Sequence, residues 1–168
     1  VTREMLRSLD ARNRASVLRY INDCWSVAHF PEAWAKAVVA EIYKGSGKPT
    51  DDPASYRPIS LLPAMYKLYA RLIQIRLAEG IDHRIRDRQF GFRKARSTAD
   101  PTHIIIRLQE LVSGTDAPLY TMFPDWQQAF DRLSREGLLS ALRRIGLPQH
   151  YVDVVASVYA HPSFTVRS

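Results

Sequence analysis

Cysteine is nearly absent from this sequence. Cys24 stands alone in 168 residues, so a disulfide framework and any cysteine-rich zinc module are excluded. Nothing points to an oxidising compartment. Long apolar runs are missing as well: none approaches the ~20 residues that cross a bilayer, and no membrane partner is expected. The first residues, Val1-Thr2-Arg3-Glu4, hold neither an initiator methionine nor the apolar segment of a signal peptide. A fragment of a longer polypeptide is therefore expected. There is no internal repeat and no low-complexity stretch. No glycine-rich phosphate loop opening a helix and no nucleophile elbow occur. The five histidines, His29, His83, His103, His150 and His161, lack ligand spacing and read as structural or solvated.

What is present is a chain of about one domain. Its 46% hydrophobic content can build a core, which excludes wholesale disorder. The net charge is +7 and comes mostly from arginine, 19 against 5 lysines. The planar guanidinium fork grips phosphate with two hydrogen bonds, so a polyanion such as nucleic acid is a natural partner. Codon bias in a GC-rich genome would inflate arginine and alanine in the same way. Clustering is harder to obtain so: Arg84, Arg86, Arg88, Arg93, Lys94 and Arg96 fall within thirteen residues, opposed only by Asp87.

Apolar residues at Val17, Leu18, Ile21, Cys24 and Trp25 predict an amphipathic helix over residues 14–27, stopped by Pro31. Residues 37–43 read as a strand, and Gly45-Ser46-Gly47-Lys48-Pro49 breaks regular structure. Residues 56–62 are extended around Pro58. A long helix follows over 64–78, with Gly80 as its C-cap. Asp100-Pro101 reads as an N-cap and first helical residue, for a helix ending near Gly114. Residues 119–123 read as a strand, 126–130 turn into helix, and 136–145 and 150–159 are helices around Gly146-Leu147-Pro148. Residues 164–166 start another strand. Helices and strands mix without βαβ alternation, so the fold class is α+β, with a subdomain break near 114–118.

Three constellations carry chemistry. In Phe123-Pro124-Asp125-Trp126-Gln127-Gln128-Ala129-Phe130-Asp131 an acid closes an apolar strand. Its carboxylate can hold a divalent cation such as Mg²⁺ or cap the next helix. Lys44 and Arg57, on two arms of a short ribbon, can converge on phosphate or stand as exposed charges. In Gln89-Phe90-Gly91-Phe92-Arg93, followed by Ser97 and Thr98, aromatics beside arginine can stack on bases, or two buried phenylalanines can anchor a loop. Cys24 lies on an apolar helix face and reads as core.

The order and spacing of these elements resemble the reverse transcriptase domain of non-LTR (LINE-type) retrotransposons. The likeness runs from Pro31 and Trp34 through Tyr43-Lys44, Tyr56-Arg57-Pro58-Ile59-Ser60-Leu61-Leu62, Lys67, Gln89-Phe90-Gly91-Phe92-Arg93 and Ser97-Thr98 to Asp125, Ala129-Phe130-Asp131 and Gly146-Leu147-Pro148. It covers about 14–168. It implies a right-hand polymerase fold, with the N-terminal helix and fingers in 1–116 and the start of the palm in 117–168. By the same resemblance Asp125 is the first metal-binding aspartate, the Trp126 carbonyl a further Mg²⁺ ligand, and Phe130 the steric gate against a 2′-hydroxyl. Lys44 and Arg57 would contact the dNTP triphosphate, and Gln89, Gly91 and Arg93 would lie along the RNA template, with a DNA primer as the other partner. The family's habit of priming on chromosomal DNA implies the nucleus.

Two departures shape the expectations. The family's palm has a later Asp-Asp hairpin, preceded by a Gln-Gly-containing loop, and neither occurs between Asp125 and Ser168. A two-metal clamp needs carboxylates from both segments, so the 168-residue chain is expected not to polymerise DNA on its own. Pro124 stands where the family has an apolar strand residue, and proline removes a ladder donor, so Pro124→Leu is expected to raise stability. Gln128 replaces a frequent lysine. An alternative from another class is a non-catalytic RNA-binding remnant of a truncated or domesticated element, and a third is an inert product that aggregates through an exposed sheet edge.

Overall fold

The computed structural model describes every residue but Val1, Ser46, Asp116 and Ser168. Ser46 of the predicted glycine-rich break and Asp116 of the predicted subdomain break thus lie outside the described residues. The chain opens with α1 (Arg3–Arg7) and α2 (Ala11–Ser26). The second starts three residues before the predicted helix because Asp10 caps it, its carboxylate accepting from the Asn13 amide at 2.7 Å. Ile21 and Cys24 form its buried face. After a single 3₁₀ turn that buries Trp34, β1 (Lys36–Tyr43) and β2 (Tyr56–Leu61) form an antiparallel ribbon. A third strand, β3 (Ser163–Arg167), pairs parallel with β1, giving the sheet order β2-β1-β3. The architecture is therefore mixed helical and β, with one small sheet.

Between the ribbon and β3 run α3 (Ala64–Ile81), α4 (Ala99–Ser113), α5 (Arg135–Arg144) and α6 (Gln149–Val158). The core gathers Ile21 and Cys24 of α2, Phe30 and Trp34, Tyr69 and Ile73 of α3, Leu142 of α5 and the valines of α6. Its centre is aromatic. Phe30 meets Trp34, Tyr66 and Tyr69 with ring centroids 5.3–5.8 Å apart, within the range where edge-on and tilted pairs attract. Gly146, at φ +84°, makes the turn from α5 to α6; a Cβ there would stand 2.6 Å from Nη1 of Arg84, whose guanidinium donates to the Ile145 carbonyl at the α5 C-terminus.

Several local expectations are corrected. Gly80 does not cap α3, which continues to Ile81 and into a 3₁₀ turn over Asp82–Arg84. Asp100 is not the N-cap of α4. The helix starts at Ala99 behind Thr98, and the Asp100 carboxylate reaches back to accept from the Ser97 amide at 2.7 Å. Residues 119–123 form no strand: they are exposed, and among the described residues no strand lies beside them. Strand composition is a preference for a half-buried surface, and these exposed residues pack against none. The helix expected over 126–130 is absent: residues 127–130 form turns, where Gln128 at φ +53° interrupts right-handed backbone.

Candidate functional site

The ribbon carries the first two candidate residues. Ile42 faces Arg57 and Tyr43 faces Tyr56 across the ladder. Side chains alternate between the faces of a strand, so Arg57 and Ile42 share one face, while the Tyr43 and Tyr56 rings meet at 5.6 Å. Lys44 extends the pairing by one step, its amide donating to the Ser55 carbonyl at 2.8 Å. Its ammonium donates to the Ala54 carbonyl at 2.6 Å. The connecting loop is tied down by the tyrosine hydroxyls, with Tyr43 donating to the Lys48 carbonyl and Tyr56 to the Thr50 carbonyl. The ribbon therefore offers one exposed guanidinium and one ammonium held at its closed end.

The loop after α3 is organised from within. Arg93 donates through Nε and Nη2 to the two carboxylate oxygens of Asp82 at 2.9 and 3.1 Å. Its remaining donors reach the carbonyls of Asp82, Arg86 and Gln89. Only 9% of its side chain is exposed, so the guanidinium faces the loop rather than solvent. The hydrogen bond from Arg93 holds the Asp82 carboxyl below its ordinary value of 3.8. Gln89 donates to the Gly91 carbonyl at 3.3 Å. Phe90 is half-buried beneath the Arg96 guanidinium, 5.8 Å from its ring. Phe92 is 94% exposed, on a left-handed backbone at φ +61°. The two phenylalanines are thus not both buried anchors, since Phe92 is turned outward.

A depressed carboxyl stabilises the folded form above its unfolded value and loses that contribution as pH falls through the folded one. The clasp is thus intact at neutral pH and opens only below pH 3.8. Pepsin cleavage within 85–96 should rise steeply there. Asp82→Asn should show the same open loop by hydrogen exchange at pH 7. Protection unchanged in that variant would mean the clasp does not hold the loop.

The third candidate group lies on the exposed run before α5. Asp125 and Trp126 are exposed, Trp126 by 82%. Phe130, 81% exposed, meets Phe92 edge to face at 6.5 Å and 82°. The structure therefore brings Phe130 to the 89–93 loop, while no hydrogen bond or ion pair among the described residues joins Asp125 to Lys44 or Arg57. Nor is there, among the described residues, a group of three or more His, Cys, Asp or Glu side chains placed to hold a metal ion. Pro124 interrupts no ladder, since its segment is unpaired among the described residues. Pro124→Leu should consequently leave the melting temperature of this chain unchanged, and a rise would show that 119–123 pairs in solution. Two features escaped the sequence. Asp82 lies eleven residues from Arg93, too far for any local spacing rule, and the Phe92–Phe130 contact joins loops 38 residues apart.

Residues 42–167 match the family model of reverse transcriptase (RNA-dependent DNA polymerase). The chain belongs to the reverse transcriptase family. The likeness to non-LTR retrotransposon enzymes read from its motifs holds against individual relatives. It is 36% identical over 166 residues to the probable RNA-directed DNA polymerase from transposon BS of Drosophila melanogaster, covering 96% of this chain and 18% of that protein. It is 37% identical over 147 residues to the RNA-directed DNA polymerase from mobile element jockey of the same organism, covering 86% and 16%. The X-element polymerase is 35% identical over 146 residues, 83% of this chain and 15% of that protein. This reverse transcriptase segment thus spans less than a fifth of the curated relatives it matches. No described helix is long and apolar enough to cross a membrane.

Proposed function

We propose that this chain is the fingers and the beginning of the palm of a retrotransposon RNA-directed DNA polymerase, with residues 1–116 and 117–168 as the two parts. The observation that carries the reading is the family match over 42–167, which contains every proposed site residue. Lys44 and Arg57 supply charge to the triphosphate of the incoming dNTP. To do so, Lys44 exchanges its backbone carbonyl for phosphate oxygen, a stronger, charge-assisted acceptor. The 89–93 loop lies along the RNA template opposite the DNA primer: Gln89 and Gly91 face the strand, and Arg93 shapes the loop through its clasp on Asp82. Phe130 closes against C2′ of the nucleotide and is steadied by Phe92.

The Asp125 carboxylate and the Trp126 carbonyl are oxygen donors of the type Mg²⁺ prefers. They fit part of its shell, and among the described residues no acidic cluster completes it. Bound Mg²⁺ would neutralise charge on the transferring phosphoryl group; in this chain Asp125 and Trp126 provide two of its ligands. The 168 residues alone should therefore not extend a primer. A non-catalytic RNA-binding remnant would keep the basic loop and lose the chemistry. The native transcript beyond Ser168 separates the two: an in-frame Asp-Asp pair flanked by strand residues supports the polymerase, and a stop codon in its place rules it out.

Within the chain itself, the test is affinity for a fluorescent dNTP in the presence of an RNA–DNA template–primer. Lys44→Glu with Arg57→Glu should weaken it by about tenfold or more, roughly 1.4 kcal/mol, and raised salt should weaken the parent chain in the same direction. Arg12→Glu, on the α2 surface, should not matter. Equal affinity in the ribbon variant would remove the nucleotide role of these two residues.

A further inference from the structure

A groove of about 990 Å³ runs between α1, α2 and the first turns of α3, lined by none of the residues of the proposed polymerase site. Its floor is aliphatic, built from Leu6, Val17, Leu18, Leu68 and Leu72. Its rim carries Arg3, Arg7, Arg14, Lys67 and Arg71, and among the described residues no aspartate or glutamate lines it. None of the five cations is in an ion pair among the described residues. Arg14 donates to the Arg7 carbonyl and Arg71 to the Gln74 side-chain amide, both neutral acceptors. Leu18 is left more than half exposed on the floor.

An apolar trough with a one-signed cationic rim calls for a ligand that is apolar along its middle and anionic along both edges. We infer that the groove is the docking site for an acidic amphipathic helix of a partner protein, laid in by leucine-type anchors at i, i+3 or i+4 and i+7 with carboxylates on either flank. The composition of the lining decides against the other anionic occupants. Single-stranded bases stack on aromatic rings, and no aromatic side chain among the described residues lines this groove. Phosphate contacts do not bury aliphatic floor, and a bilayer surface offers no ridge to fill a trough. The charge arrangement also sets direction and selectivity, because unlike charges steer the encounter and like charges on the wrong partner repel.

The test uses the 168-residue chain and two labelled synthetic peptides that share one leucine stripe, one with flanking glutamates and one with flanking lysines. Anisotropy should show the glutamate peptide binding at least about tenfold tighter than the lysine peptide, with affinity falling as salt rises. Arg7→Glu with Arg71→Glu, both at exposed positions, leaves three cations against two anions on the rim and should remove most of the preference, and Leu18→Ser should weaken both peptides. Far-UV circular dichroism and the melting temperature confirm that each variant is folded. Equal binding of the two peptides, or no binding of either, overturns the proposal. So does displacement of the glutamate peptide by a short RNA at lower concentration. Preferential capture of the protein by anionic vesicles, lost in the same charge variant, would assign the groove to a lipid surface instead. Self-association abolished by that variant would assign it to a second copy of the chain.

Discussion

Tyr69→Ala should cost about 3–5 kcal/mol, as loss of a large buried aromatic does, against a total stability on the order of 5–15 kcal/mol. Tyr69→Phe should do the opposite and raise stability by about 1 kcal/mol. Tyr69 is 1% exposed at the centre of the aromatic core, between Phe30 and Trp34. The ring supplies area and edge contacts that alanine cannot replace. Its hydroxyl is buried with no hydrogen-bond partner among the described residues, so the protein bears the desolvation of that group without return. Phenylalanine keeps the ring and removes the orphan. Burial also pushes the Tyr69 phenol up from 10 to about 12. The unfolded chain therefore releases this proton first as pH rises through 10, and folded stability declines from there toward pH 12. Tyr69→Phe should flatten most of that alkaline decline; Tyr66, raised in the same direction by burial, retains a share. Urea titrations of both variants at pH 7 and pH 11 check the signs. A Tyr69→Phe protein that is less stable at pH 7 would show that the hydroxyl has a partner, such as a buried water.

The helices were legible where burial is local. The apolar spacing of Val17, Ile21 and Cys24 reads directly as α2, and the paired Gly-Leu-Pro turn and flanking periodicity read as α5 and α6. The ribbon was legible for the same reason, since its β-branched arm and the Pro58 arm are separated by turn-forming residues. What failed depended on partners distant in sequence. Residues 119–123 have strand composition, but composition states a preference for a half-buried surface and not the presence of a neighbour. The α4 helix formed as expected, and its Ile104, Leu108 and Leu111 stripe stands exposed. Arg93 shows the limit for the candidate site. Its place between two phenylalanines and a serine-threonine pair reads as a template contact, while its guanidinium is occupied by Asp82. No local rule pairs residues across that loop, and Phe92 beside it takes a positive φ that its residue type seldom adopts.

Asp125 is where the second large effect is expected. In a longer polypeptide that carries this segment together with an Asp-Asp hairpin, Asp125→Ala should reduce primer extension by roughly a hundredfold or more, about 3 kcal/mol of transition-state stabilisation. Asp125→Asn should fall with it, because the amide keeps the shape and loses the charge that a hard cation requires. Phe130→Ala should act differently, leaving dNTP incorporation within a few-fold and admitting ribonucleotides, since it changes the steric wall and not the charge. Arg93→Lys separates these roles from loop shape. A lysine cannot reproduce the two-pronged grip on Asp82, so template affinity should fall while the ratio of dNTP to rNTP use stays put. Asp125 stands exposed on an unpaired segment, so its replacement should leave the melting temperature of the 168-residue chain untouched. That combination, a lost reaction in the longer polypeptide with unchanged stability in the short one, assigns Asp125 to chemistry. Extension that survives Asp125→Ala would remove it from the metal site whatever the family pattern says.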